Sequence, residues 1–199
     1  MKIVFATGNK HKLQEIKGVY DAYDWGEYKP LIEFVLPEDG FDPIENGQTF
    51  EENSLIKAKE AFRVSKTISL ADDAGLCVEA LNGAPGLHSA RYAPTQDEKI
   101  EKLLSELQNI ENRKAEFVCC MTLLNSNGEM VYQTTGKCQG LIATQRQGNG
   151  GFGYDPIFIP NGYNCTIAEL SEATKNQISH RYNALKNVFE FIKTSQFEK

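Results

Sequence analysis

Two adjacent carboxylates, Asp72 and Asp73, follow a short apolar run that ends at Ala71. The run predicts a buried strand, and the small residues Ala74 and Gly75 predict a turn directly after the aspartates. Acidic side chains at the carboxyl end of a strand lie where α/β folds usually keep their functional sites. Neighbouring strand residues point to opposite faces, so only one of the two aspartates can face a given site. The pair is therefore either one site residue and one turn cap, or simply two turn-forming residues.

The order of the predicted elements indicates an α/β fold with a mixed sheet. The predicted strands cover residues 2–6, 33–36, 68–71, 115–124, 129–135, 137–144 and 155–160. A helix is predicted over 11–20, two more begin at capping boxes on Thr49 and Thr95, and a last one follows Ser179. The 199 residues are enough for one core and too few for two ordinary domains. We therefore expect a single domain over 1–199 with two lobes and a cleft between them.

The charge and composition exclude several classes of protein. A net charge of −6 and a pI near 5.2 argue against a nucleic-acid binder, which would present a basic surface. No apolar run is long enough for a membrane span, so no membrane partner is expected. The five cysteines lack metal-ligand spacing and are interpreted as free thiols in a reducing compartment, which favours a cytoplasmic location. A small phosphorylated ligand remains possible if cations gather locally.

Three groups of cations are associated with the predicted helices, and each group follows or opens a helix. They are Lys12, Lys57 and the group formed by Lys175, His180 and Arg181. A cation in the first turn of a helix opposes the helix dipole, so an anion there would explain it. Each group on its own is equally consistent with a solvated surface side chain. Together the three groups favour a phosphate site, with Thr7, Gly8 and Asn9 supplying turn amides before the first helix.

The segment 148–153 matches the pattern G-x-G-x-x-G but leads into a strand. The dinucleotide-binding motif must open a helix, so that interpretation is rejected. Phe152 and Tyr154 could instead place a flat ring against the glycine backbone, with Asp155 accepting from ring N–H groups. The alternative is a plain turn with core aromatics.

Five motifs in order along the chain resemble the inosine/xanthosine triphosphate pyrophosphatases, the Ham1-like family. The first two are Thr7-Gly8-Asn9-x-x-Lys12-x-x-Glu15 and Thr49-Phe-x-Glu52-Asn53-x-x-x-Lys57-Ala. The others are Ala71-Asp72-Asp73-x-Gly75-Leu76 with Gly83-x-Pro85-Gly86, then Gly150-Gly151-Phe152-Gly153-Tyr154-Asp155-Pro156, and finally Ser179-His180-Arg181. No single motif is specific, but the ordered set spans nearly the whole chain.

The resemblance implies a fold and an activity. The fold would be an elongated, two-lobed α/β domain with a central twisted sheet, and the protein would commonly be a homodimer. The activity would be Mg²⁺-dependent hydrolysis of deaminated purine nucleoside triphosphates, such as ITP, dITP and XTP, to the monophosphate and pyrophosphate. Water would attack the α-phosphorus, and the reaction would remove these nucleotides from the pool.

The resemblance also implies roles for individual residues. Asp73 and Lys12 would be catalytic, and Asp73 and Glu45 would hold the Mg²⁺, with Glu38 as the alternative second ligand. The implied substrate-binding residues are Thr7, Gly8, Asn9, Lys12, Lys57, Ala74, Phe152, Gly153, Tyr154, Asp155, Lys175, His180 and Arg181. His180 and Arg181 would donate to the 6-oxo group of the base. Adenine presents an amino group there, and such a mismatch can discriminate by about 10⁴.

Two points limit what the resemblance implies. Ala74 stands where relatives often have serine, so a hydroxyl contact to the substrate is absent, and a backbone N–H would keep any phosphate contact. Nothing in the sequence accounts for the rejection of guanine, which also has a 6-oxo group.

A protein that binds nucleotides without hydrolysing them is the alternative function, although an intact Asp73 and Lys12 favour an enzyme.

Overall fold

The computed structural model describes residues 1–8, 10–27, 29–195 and 197, with only the backbone described for residues 10 and 11. The strands are β1 (Lys2–Phe5), β2 (Glu33–Val35), β3 (Ser69–Val78), β4 (Lys114–Leu124), β5 (Met130–Ile142) and β6 (Phe158–Pro160). The helices are α1 (Lys10–Ala22), α2 (Phe50–Ser65), α3 (Gln96–Glu106), α4 (Glu172–Ile178) and α5 (His180–Ser195). Short 3₁₀ helices cover Glu79–Leu81, Gly86–Arg91, Asp155–Ile157 and Ile167–Glu169.

The strands form a six-stranded sheet in the order β2-β1-β3-β4-β5-β6. Strand β1 pairs in parallel with β2 and β3, whereas β5 and β6 are antiparallel. Gly140 allows the close approach of β6, because a Cβ there would lie 2.2 Å from the carbonyl oxygen of Ile159. The predicted α/β class and mixed sheet are confirmed.

The chain groups into two compact units. Unit 1 contains residues 1–73, 119–136 and 181–199, and unit 2 contains residues 74–118 and 137–180. The single domain over 1–199 and the cleft between lobes stay predictions.

Each unit has its own apolar core. In unit 1, Val4, Ala58 and Ala71 belong to a buried cluster that packs α2 on the sheet. In unit 2, the cluster contains Leu103 of α3, Phe117 of β4 and Phe158 of β6. Burying these side chains stabilises each unit by about 25 cal/mol for each Å² of apolar surface removed from water.

Two predicted interruptions of strands are wrong. Strand β3 continues through Asp72 and Asp73 to Val78, where a turn at Ala74 and Gly75 was expected. Strand β5 likewise runs through Gly136 without a break. In both cases the small residues are accommodated within a paired strand, because the tertiary ladder overrides a weak local tendency to turn.

The helix starts follow the sequence closely. Thr95 and Glu98 form the complete predicted capping box at α3. At α2, the Thr49 hydroxyl accepts from the N–H of Glu52 as predicted, but the Glu52 carboxylate accepts from the N–H of Gln48 instead of Thr49. The last helix begins at His180, directly after Ser179, as expected. The short helix α4 before it was not predicted.

In the described part of the chain, no helix combines the length and the apolar character that crossing a membrane requires.

Candidate active site

The parallel pairing of β1 and β3 brings the first predicted motif beside the aspartates. Val4 and Phe5 pair with Ser69 and Leu70, and continuing this register puts Thr7 level with Asp72. Thr7 is buried, whereas Gly8 is exposed and α1 begins two residues later at Lys10. Strand β1 is thus followed after a few residues by helix α1, as the sequence predicted. Asn9 lies outside the described residues.

Asp72 lies at the centre of a buried ionic network in unit 1. The Lys12 ammonium donates to both Asp72 oxygens at 3.0 Å, and Arg181 donates from Nε and Nη2 to Oδ2 at 3.1 and 2.9 Å. Arg181 also donates from Nη1 to Glu15 Oε2 at 2.6 Å. Asp72 is only 1% exposed, and its carboxylate neutralises cations from both terminal regions of the chain. The prediction that one of the two aspartates caps a turn is therefore wrong, because β3 continues through both of them.

The charges of this network stabilise one another. Burial by itself would raise the pKa of Asp72, but Lys12, Arg181 and Lys57 outweigh it and lower that pKa well below the usual range. Burial would likewise lower the pKa of Arg181, but Asp72 and Glu15 raise it. Both groups therefore keep their charge at neutral pH, and Asp72 is not a candidate for a base.

Asp73 points to the other face of β3 and meets different partners. Lys57 of α2 donates to Asp73 Oδ1 at 2.6 Å and lies 3.5 Å from Glu45 Oε2. Burial is the largest influence on the pKa of Asp73 and raises it, an effect that Lys57 partly offsets and Glu45 and Asp72 reinforce. Asp73 is thus the more basic of the two aspartates. The expectation that the adjacent side chains face different sites is confirmed.

Asp73 and Glu45 are the two acids that lie next to the Lys57 ammonium. Among the residues that the structure describes, no three or more His, Cys, Asp or Glu side chains form a group that could hold a metal ion. Mg²⁺, however, commonly takes only one or two carboxylates and completes its shell with phosphates and water. Both acids already face the Lys57 ammonium, so their oxygens are arranged around positive charge. Glu38 is exposed and makes no ion pair with a described residue.

A second group of predicted residues gathers in unit 2 around Asp155. Its Oδ2 accepts from the Lys175 ammonium at 2.6 Å and from the Phe152 N–H at 2.9 Å. The same ammonium lies 4.4 Å from the centre of the Phe152 ring, and that ring is 41% exposed. Gly151 permits this arrangement, because it has φ of +72° and a Cβ there would lie 2.2 Å from Asp155 Oδ2. Unit 2 therefore presents the exposed Phe152 ring next to the Asp155 carboxylate, which two hydrogen bonds keep in place.

The other predicted residues of unit 2 have less exposed positions. Tyr154 is 4% exposed, belongs to the core and donates from its hydroxyl to the carbonyl of Ser89. The His180 ring stacks on Phe117 at 4.9 Å between centroids. Ala74 is half-buried on β3. Their roles in substrate binding stay predictions.

Three residues of these clusters received no role from the sequence. Glu15 lies three positions after Lys12 on α1, a spacing that puts both side chains on one helix face. Asn53 lies four positions before Lys57 on α2, and it is 2% exposed. Phe117 supports His180 and belongs to an apolar strand that periodicity alone assigns to the core. The helical spacings were the available signal for Glu15 and Asn53.

The sequence matches the model of a known family over most of its length. The Ham1 family model matches residues 3–191, and the chain belongs to this family. The resemblance seen in the motifs is therefore confirmed.

Relatives and solved structures agree over almost the full length. The dITP/XTP pyrophosphatase of Treponema denticola is 46% identical over 205 residues, covering 98% of this chain and all of the relative. That of Oceanobacillus iheyensis is 44% identical, covering 97% of this chain and 98% of the relative. The structure of the Staphylococcus aureus Ham1 protein is similar with a TM-score of 0.86 at 36% identity, covering 98% of this chain and 100% of that one.

Proposed function

We propose that this chain is a dITP/XTP pyrophosphatase, a hydrolase that converts deaminated purine nucleoside triphosphates to the monophosphate and pyrophosphate. The observation that carries the proposal is the Asp73 carboxylate, held at 2.6 Å by the buried Lys57 and next to Glu45 on the same ammonium. The Treponema denticola and Oceanobacillus iheyensis relatives carry this activity in their names. The near-complete coverage of both supports transferring it to the whole chain.

The phosphate end of the nucleotide is assigned to unit 1. The backbone of Thr7, Gly8 and Asn9 would donate to phosphate oxygens at the start of α1. Lys12 and Lys57 would offset the phosphate charge, which an acidic protein must do locally. Contact with Asp72 holds the Lys12 ammonium in place before substrate arrives, so less side-chain entropy is lost on binding.

Asp73 is assigned the role of general base in the hydrolysis. It takes a proton from the attacking water, whose oxygen bonds to the α-phosphorus while the bond to the α–β bridging oxygen breaks and pyrophosphate leaves. A raised pKa suits this role, since a more basic carboxylate is a better proton acceptor. Asp73 and Glu45 would also hold Mg²⁺, with Glu38 as the alternative second ligand. Bound Mg²⁺ would neutralise charge that develops on the phosphate oxygens.

The base end of the nucleotide is assigned to unit 2 together with Arg181. The exposed ring of Phe152 would stack on the purine, beside Gly153 and Tyr154, and Asp155 would accept from a ring N–H. His180 would donate to the 6-oxo group of the base, and Lys175 would help to offset the phosphate charge. A guanidinium has five N–H donors. Arg181 uses three of them on Asp72 and Glu15, which leaves donors for a 6-oxo oxygen.

The assembly and location are part of the same proposal. We infer a homodimer from the common state of the family, and a cytoplasmic location from the five cysteines, all of which are free thiols. Multi-angle light scattering would test the first by giving twice the chain mass of 22.3 kDa.

The deciding experiment compares products from dITP, XTP, ITP, ATP and GTP with Mg²⁺ present. We expect pyrophosphate from the first three and at least a hundredfold lower kcat/KM for ATP. Hydrolysis in ¹⁸O-water should place the label in the monophosphate, as attack at the α-phosphorus requires. Orthophosphate as the first product would contradict that attack. Tight binding of ITP without any product would instead indicate a nucleotide-binding protein that does not hydrolyse its ligand.

A further inference from the structure

The loop that carries Glu45 is attached to helix α2 by two consecutive backbone amides. The Gly47 N–H donates to Asn53 Oδ1 at 2.8 Å, and the Gln48 N–H donates to Glu52 Oε2 at 2.6 Å. Both acceptors lie in the first turn or so of α2. The loop is therefore bonded to the same helix that carries Lys57.

The contact between Gly47 and Asn53 is the more buried of the two. Asn53 is 2% exposed, whereas Glu52 is an exposed residue. A Cβ on Gly47 would lie 2.7 Å from Asn53 Oδ1 and 2.7 Å from Glu52 Cβ, closer than side-chain atoms approach one another. The loop thus lies directly on the helix, and only glycine fits at this position. We call the Gly47–Asn53 contact the loop clamp.

The loop clamp determines where Glu45 can be. Glu45 is two residues before Gly47, and Lys57 is one helical turn after Asn53. Between them, the 3.5 Å contact from Glu45 Oε2 to the Lys57 ammonium brings the glutamate to the cation that also binds Asp73. Glu45 lies outside any strand or helix and its side chain is 36% exposed, so no element of secondary structure fixes its place.

We propose that Asn53 is a positioning residue that holds Glu45 next to Asp73 for binding Mg²⁺ with the nucleotide. The proposal rests on the proposed function, in which Glu45 is a metal ligand. A residue of this kind acts through the ligand that it orients, and its loss typically weakens metal binding by about 10- to 100-fold. In this role Asn53 would act through the loop and would contact neither the nucleotide nor the metal.

The first test probes the loop clamp directly and does not depend on an activity measurement. Amide hydrogen exchange at Gly47 is compared in the wild-type chain and in Asn53→Ala, with Asn53→Asp as the conservative variant. We expect at least tenfold faster exchange in N53A and near-normal exchange in N53D, because the aspartate oxygen still accepts the Gly47 N–H. Unchanged exchange in N53A would overturn the loop clamp.

The second test measures the Mg²⁺ concentration at half-maximal dITP hydrolysis. N53A should raise it about 10- to 100-fold. In a Glu45→Ala background, adding N53A should not change this Mg²⁺ concentration further, because the ligand that Asn53 orients is already absent. An equal additional loss in that background would overturn the proposal, since it would mean that Asn53 acts on general structure. Gly47→Ala should reproduce the N53A effect if N53A folds poorly.

Asn125→Ala is the matched control. Asn125 Oδ1 accepts from the N–H of Asn127 at 2.9 Å in the turn between β4 and β5, so it makes the same kind of bond away from Glu45. We expect N125A to lower the thermal midpoint and to leave the Mg²⁺ dependence unchanged. A wild-type chain that fails to hydrolyse dITP would contradict the proposed function. A hydrolysing chain whose N53A variant keeps normal Gly47 exchange and Mg²⁺ dependence would contradict only the positioning role.

Discussion

Asp72 and Asp73 are neighbours on strand β3, yet their carboxylates bind different lysines, Asp72 to Lys12 at 3.0 Å and Asp73 to Lys57 at 2.6 Å. Strand geometry requires this division, because successive side chains point to opposite faces of the sheet. Asp72 is enclosed by cations and keeps a lowered pKa, whereas burial raises the pKa of Asp73. Asp72 therefore neutralises Lys12 and Arg181, and Asp73 is the more basic of the two carboxylates.

Asp73→Asn should abolish most turnover and leave nucleotide binding nearly intact. The amide oxygen can still accept from Lys57, but it cannot take a proton from water, so kcat should fall by about 10² to 10⁴. Pyrophosphate release gives kcat, and calorimetry with ITP gives the dissociation constant. Asp97→Asn, at an exposed carboxylate that pairs with Arg146, is the control and should keep the wild-type kcat. A near-normal rate for D73N would exclude Asp73 as the base.

Asp72→Asn should destabilise the fold. It leaves the buried Arg181 and the partly buried Lys12 without the carboxylate that neutralises them, and breaking a buried ion pair in this way costs about 3–5 kcal/mol. Urea denaturation at neutral pH measures the free energy of unfolding. Asp21→Asn breaks the exposed pair with Lys29 and should cost under about 1 kcal/mol. Equal losses in the two variants would show that the Asp72 network does not stabilise the protein.

Gly151→Ala should weaken binding of the base. The added Cβ would lie 2.2 Å from Asp155 Oδ2, so the carboxylate must leave the Phe152 N–H and the Lys175 ammonium. We expect the KM for dITP to rise at least tenfold. Gly162→Ala is the matched control, because Gly162 also has a positive φ but a Cβ there meets no described atom within 4 Å. Equal KM values for the two variants would assign the effect to backbone strain alone.

The thiol of Cys138 should react only slowly near neutral pH. Burial, reinforced by Asp155, raises the pKa of Cys138 to about 11. Since the thiolate is the nucleophile, about one molecule in a thousand is reactive at pH 8, and the rate should rise about tenfold for each pH unit up to pH 10. Peptide mass spectrometry after iodoacetamide treatment follows this rate, and the urea-unfolded chain is the control. A rate that levels off below pH 9 would contradict the raised pKa.

Much of the fold could be predicted from local patterns. The strand at residues 2–6, the capping box at Thr95 and the helix after Ser179 depend on neighbours within a few positions, so periodicity and capping residues indicate them directly. The turn expected at Ala74 and Gly75 was wrong, because pairing with neighbouring strands keeps small residues extended. Local propensity is weak compared with a complete ladder of hydrogen bonds.

The candidate site was predictable in its residue types and less so in its pairings. The alternation of side chains along a strand already separated Asp72 from Asp73, and the motifs named both lysines. The order of the residues along the chain does not determine which lysine pairs with which aspartate. It also does not predict that Arg181 donates hydrogen bonds to Asp72 and Glu15.

By itself, then, the sequence determined the positions of most strands and helices, the opposite directions of the two aspartates and the set of cations that a phosphate ligand would need. Only the tertiary structure decided that Arg181 joins Asp72 across 109 positions of the chain and that Gly47 places Glu45 beside Lys57 through Asn53. The reason is physical: short-range patterns follow from backbone geometry and capping, whereas contacts between distant residues depend on how whole elements pack.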